Sequence, residues 1–146
     1  MKKILIVCIF LLFTISANTM RFVKNEYIIE ENKELTIDNI VDYMKEVGLV
    51  HKDILLSQIH QETGNLKHIK YENNLFGFRS EKYLTFSTWE DCIDYMKVWQ
   101  DKHWTKYSDN GGKDYYAFLI KKKYAEDAEY TNKLKRIVKL YKYVEN

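Results

Sequence analysis

Apolar residues recur at helical spacing through much of this chain. Ile37, Ile40, Val41, Met44 and Val47 share one face of a helix that Thr36 can cap and that Gly48 can end as a left-handed C′ residue. A second helix is predicted from about Lys52 to Thr63, with Gly64 as its terminator. Leu55 and Ile59 lie on its packed side, and Glu62 takes the next position of the same stripe. Ser87, Thr88, Trp89 and Glu90 spell a capping box, behind which Trp89, Cys92, Ile93, Met96, Trp99 and His103 continue a third helix. The DNGG stretch at residues 109–112 breaks the pattern. A short helix over residues 115–122 follows, and Asp127 can cap a last helix carrying Tyr130, Leu134, Ile137, Val138 and Tyr141.

Between these stripes the pattern fails in two places. Residues 65–82 have no periodicity and hold Asn65, Asn73, Asn74 and Gly77, which marks a loop, and residues 83–86 are predicted as one short strand. The fold class is therefore mainly α with a small β element. Residues 18–35 are charged and of mixed pattern, with Tyr27, Ile28 and Ile29 as their apolar cluster, and read as an extended lead-in to a domain over residues 36–146. Ahead of them, Lys2 and Lys3 precede an apolar run at residues 4–13, and Ser16, Ala17 and Asn18 follow it. This is the pattern of a signal peptide over residues 1–17, cut after Ala17, and it predicts export to the periplasm, the cell envelope or the medium. The run is short for a membrane span, so an uncleaved anchor is the lesser reading. Cys8 sits inside the run instead of after it, which disfavours a lipoprotein.

Composition narrows the class. The chain has 146 residues, 46% of them hydrophobic, and no proline, which suits one globular domain and excludes disordered and collagen-like chains. Of its 23 basic residues two are Lys2 and Lys3, and the remaining 21 balance the 21 acidic ones. A neutral domain has no electrostatic footprint for a polyphosphate, so nucleic acid is not an expected partner. Loss of the signal would leave Cys92 without a disulfide partner, on an apolar helix face where a thiol behaves as an inert hydrophobe. His51, His60, His68 and His103 show no metal-ligand spacing and no glycine-rich phosphate loop exists, so neither metal nor cofactor is expected.

The chemistry concentrates at Glu62. A carboxyl on the packed side of a helix, in its last turn, is disfavoured as an anion by desolvation and by the helix dipole, which suits a general acid. An ion pair with Lys67 or Lys70, or exposure to solvent, accounts for the same position. Downstream, Tyr71, Phe76 and Phe78 offer flat faces that stack on sugar rings or fill a core, and Asn73 and Asn74 offer hydrogen bonds to hydroxyl or acetamido groups.

These residues carry a resemblance. SQIHQETG, ending its helix around Glu62, and ENNLFGFR over residues 72–79 resemble the bacterial glucosaminidase-type peptidoglycan hydrolases, whose signature is a Q-x-x-x-E-[ST]-G helix end followed by N-N-L-F-G. YLTFSTWEDCIDYMKVW is similar to that family's short strand and following helix, and KKYAEDAEYTNKLKRIV to its closing Y-A-x-D-x-x-Y-x-x-K-[LI] segment. The likeness covers roughly residues 53–141. It implies a lysozyme-like helical domain that cuts the β-1,4 bond after N-acetylglucosamine in peptidoglycan glycan strands. Glu62 would be the general acid, Tyr124 the catalytic tyrosine beside the cleft, and Asn74 and Phe76 its lining. Gln58, one turn before Glu62, contacts substrate, orients the acid or serves as a structural hydrogen bonder.

The chain also departs from that family. Only about ten residues separate Gly77 from the capping box, too few for a long β-lobe carrying a second acid. Glu81 is the nearest candidate there, and a solvated loop glutamate fits it as well. An N-acetyl sugar can instead supply its own acetamido oxygen as nucleophile. Trp99 is expected in the core, with Trp104 and Tyr107 bordering the cleft. A muramidase or lytic transglycosylase on the same fold, and a non-catalytic peptidoglycan-binding homologue, are the competing readings. The expected partner is peptidoglycan, bound by a single copy of the chain, with membrane contact only through the signal segment.

Overall fold

The computed structural model describes residues 33–69 and 71–141. The signal peptide and most of the lead-in fall outside the described residues, as does Lys70. Among the described residues five helices carry the architecture: α1 (Ile37–Glu46), α2 (Lys52–Thr63), α3 (Trp89–Asp109), α4 (Tyr115–Lys121) and α5 (Tyr130–Tyr141). The domain is mainly helical, as the pattern predicted, and agrees with the lysozyme-like helical fold that the resemblance implied.

Local signals act largely where the sequence placed them. The Thr36 hydroxyl accepts from the Asn39 amide at 3.2 Å, and α1 ends with Gly48 at φ +73°, its amide donating to Lys45 and that of Leu49 to Met44. The capping box of α3 is displaced by one residue. Thr88 and Asp91 exchange the two bonds, both at 3.1 Å, which leaves Trp89 as the first helical residue, buried and donating its Nε1 to the Lys33 carbonyl. Before α5, Asp127 accepts from the Glu129 amide, so it shapes the turn ahead of the helix and is not the cap itself.

One expectation changes substantially. The periodicity of α2 predicted a single packed stripe, whereas residues 54–59 are all buried. The helix is central, with α5 along it and α1 against it, so both polar and apolar side chains in its middle face protein. Ser57 answers by donating to the Ile54 carbonyl at 2.6 Å. The rest of the core gathers around α2: Ile40 and Met44, Cys92, Ile93 and Met96, Phe118 and Leu119, and Leu134.

The predicted strand at residues 83–86 does not form. The β element reduces to one antiparallel bridge between Arg79 and Tyr83. Its place is taken by side-chain bonds: Asn74 donates to the carbonyls of Phe78 and Leu84, both at 2.8 Å, and accepts from the Phe78 amide at 2.9 Å. Asn73 donates to the carbonyls of Phe86 and Ser87. A loop whose carbonyls are already bonded by amide side chains gains little from a ladder partner.

Candidate active site

The last turn of α2 meets the loop at Gly77. That residue has φ +65°, and a β-carbon on it would stand 2.6 Å from Oε2 of Glu62 and 2.9 Å from its Cδ. Glycine is thus required twice, for the left-handed backbone and for the space the carboxyl fills. Glu62 is half-buried and lines a cleft of about 590 Å³. One wall comes from Phe76, Gly77, Phe78, Arg79 and Tyr83 of the loop; the other comes from Trp99 and His103 of α3, residues 122–127, and Tyr130 of α5.

Tyr130 is the residue that sequence reasoning left in the core stripe and the structure brings to the acid. Its hydroxyl hydrogen-bonds Glu62 and accepts from Gln58 Nε2 at 3.4 Å. Burial first, and the Glu62 charge next, hold the phenol protonated well above its ordinary range. With the oxygen accepting from Gln58, the proton is left for Glu62. The signal for this was present in the closing segment, where Tyr130 follows Asp127 by three residues. Tyr124 packs on Tyr130 with ring centroids 5.9 Å apart and donates its hydroxyl to the Phe76 carbonyl at 3.1 Å, next to Gly77. Burial likewise keeps its phenol protonated.

Two residues assigned to substrate stand elsewhere. Gln58 is wholly buried behind Tyr130 and reaches the cleft only through that hydroxyl; its Oε1 has no hydrogen-bond partner among the described residues. Asn74 is buried in the loop, and its amide and that of Asn73 are committed to loop backbone instead of sugar groups. The side chains of Gln58 and Asn74 are thus bonded within the protein and do not face the cleft. Phe76 does line the cleft, although it is only 1% exposed.

The tryptophans exchange places. Trp99, expected in the core, forms cleft wall, while Trp104 and Tyr107 pack on Phe118 away from it. His103 also joins the wall, one helical turn beyond Trp99 on the same face. His60 lies against Tyr141, and neither it nor His68 lines the cleft.

Glu81 is exposed and outside the cleft lining. The other carboxylates on the wall are Glu126, 3.7 Å from Arg79, and Asp127, which Lys133 engages at 2.6 Å. The Lys133 hydrogen bond holds the Asp127 carboxyl below its usual range. Among the described residues no three His, Cys, Asp or Glu side chains gather as metal ligands. Cys92 is fully buried, its Sγ accepts from the Leu75 amide, and burial pushes its thiol up to about 12, which makes it inert packing.

A family model described as Glucosaminidase, mannosyl-glycoprotein endo-beta-N-acetylglucosaminidase, matches residues 37–143, a range that contains the whole cleft. No curated protein matches the chain.

Proposed function

Because the chain belongs to the glucosaminidase family, a family of glycosidases, we propose that it is an exported hydrolase of peptidoglycan glycan strands, cutting the β-1,4 bond after N-acetylglucosamine with Glu62 as general acid. The observation that carries this is the seat of Glu62: a half-buried carboxyl held between Gly77 and the Tyr130 hydroxyl, facing an open cleft. The apolar run behind Lys2 and Lys3 supports export.

In the first step Glu62 gives its proton to the glycosidic oxygen as the bond to the anomeric carbon breaks. With Glu126 and Asp127 each engaged by a cation, the nucleophile is the substrate's own acetamido oxygen, which bonds to that carbon. Water then opens the resulting ring and returns a proton to Glu62. Gln58 and Tyr130 orient the acid, and Tyr124 holds the Phe76–Gly77 peptide beside it.

The test is mass spectrometry of fragments released from purified sacculi by the full chain and by Glu62→Gln. Reducing N-acetylglucosamine ends, falling about 10²–10⁴-fold in a variant with unchanged circular dichroism, are expected. Reducing muramic ends would show a muramidase, and 1,6-anhydro ends a transglycosylase. Wall binding with no fragments from either protein would show a binding module.

A further inference from the structure

Away from Glu62 the helical wall runs ring to ring. Tyr124 meets Trp99 at 5.4 Å and Trp99 meets His103 at 5.3 Å between centroids. There the wall becomes cationic: Lys122 Nζ lies 3.3 Å from His103 Nδ1, and Lys123 lines the cleft beside them. Burial first, then the charges of Lys122, Lys102 and Lys106, hold the imidazole below its ordinary proton affinity. The ion pairs among the described residues engage Arg79 and other lysines, Glu126 pairing with Arg79 and Asp127 with Lys133. Neither Lys122 nor Lys123 is therefore in an ion pair among the described residues.

The backbone adds a second, independent observation. The amides of Lys123 and Tyr124 donate to Ile120 and Leu119, closing α4 in a Schellman motif with Lys123 at C′ and φ +52°. Glycine fills that position without steric strain, and a lysine there places a cation on the cleft wall against local preference.

We propose that Trp99, His103, Lys122 and Lys123 form an anion-binding subsite that takes the peptide stem of peptidoglycan through its carboxylates, with Trp99 beneath the sugar that bears it. The subsite rests on the proposed function for its ligand. It gives the cleft a preference for peptide-bearing over neutral N-acetylglucosamine chains, set by charge at one end and independent of the acid at the other.

Full-length Glu62→Gln, titrated calorimetrically with a disaccharide tetrapeptide and with neutral chitotetraose, tests it without turnover. The peptide-bearing ligand is expected to bind at least about tenfold tighter at low salt, with the ratio narrowing at about 0.5 M salt as screening sets in. Adding Lys122→Gln should collapse the ratio. Adding Lys123→Gly should also collapse it while raising Tm, because the strain is relieved. A merely structural lysine would raise Tm and leave the ratio intact, which would overturn the proposal, as would equal affinities for the two ligands. Retained preference with no glycan cleavage by the wild-type chain would instead remove the proposed function and leave the subsite standing.

Discussion

The two walls of the cleft are held by different forces. On the helical side, α2, α3 and α5 bury Leu55, Ile59, Met96 and Leu134 completely, and position follows from apolar area distributed over many contacts. On the loop side Leu75, Phe76 and Phe78 reach into the core, but the backbone of residues 72–87 has one β bridge and a few further bonds, and the amides of Asn73 and Asn74 bond five of its groups. A wall of the first kind tolerates local loss gradually; a wall of the second kind has single points of failure, and Gly77 and its carboxyl neighbour stand where the two meet.

The sharpest way to break that junction is Gly77→Ala. The new methyl would occupy space 2.6 Å from Oε2 of Glu62, and the flexible carboxyl end is what gives way. Activity on sacculi should fall about 100-fold through misplacement of the acid. Stability should fall by about 1–2 kcal/mol because φ +65° disfavours a β-carbon. Unaltered turnover would show that the position of Glu62 does not depend on this contact.

A matched pair then separates the walls. Leu134→Ala empties a fully buried site on α5 and should cost about 2–5 kcal/mol in urea denaturation, with specific activity of the folded fraction preserved. Asn74→Ala should cost less, about 1–3 kcal/mol, because the Phe78 amide and the Leu84 carbonyl lose their partner while the Phe78 carbonyl keeps the Leu84 amide. It should nevertheless lower activity of the folded protein about tenfold, because the Phe78 and Leu84 segments that frame Gly77 lose their clasp. Equal activity in the two variants would erase the distinction between the walls.

The same contrast explains what the sequence disclosed. Helices α1, α3 and α5 were legible because each has a cap or a turn signal and a repeating stripe, α4 was legible only as a short helix after the DNGG break, and Glu62 was legible as a carboxylate in such a stripe. The loop was legible only as an absence of period. Nothing in the spacing of Asn73 and Asn74 distinguishes amides that bond a sugar from amides that bond their own backbone, and both types of contact need the same donors. Helix α2 misled in the opposite direction, since a 3.6-residue period reports one buried face and has no way of announcing a helix surrounded on all sides. Tyr130 and Trp99 were hidden for a related reason: a ring on the apolar stripe of a helix is indistinguishable from core until the neighbouring elements show that the stripe ends at a cleft.

Acid offers the mildest probe, because the amides of Asn73 and Asn74 do not titrate, whereas His51, which opens α2 behind the helical wall, does. His51 opens α2 at φ +56°, with its ring 4.7 Å from that of Trp104 and 4.6 Å from that of Tyr115. Burial lowers its pKa below the ordinary imidazole value of about 6.5, with the charges of Asp53 and Asp114 pulling the other way. The folded chain thus prefers the neutral ring, while the unfolded chain takes up a proton near its ordinary value. His51 therefore contributes stability that is fully present above about pH 6.5 and is lost as pH falls through that value toward its lower folded pKa. Urea midpoints should decline between pH 8 and pH 5. His51→Asn tolerates the left-handed backbone and should be less stable throughout, because it lacks the ring contacts, yet show a shallower decline. Parallel curves for the two proteins would place the acid sensitivity on groups other than His51.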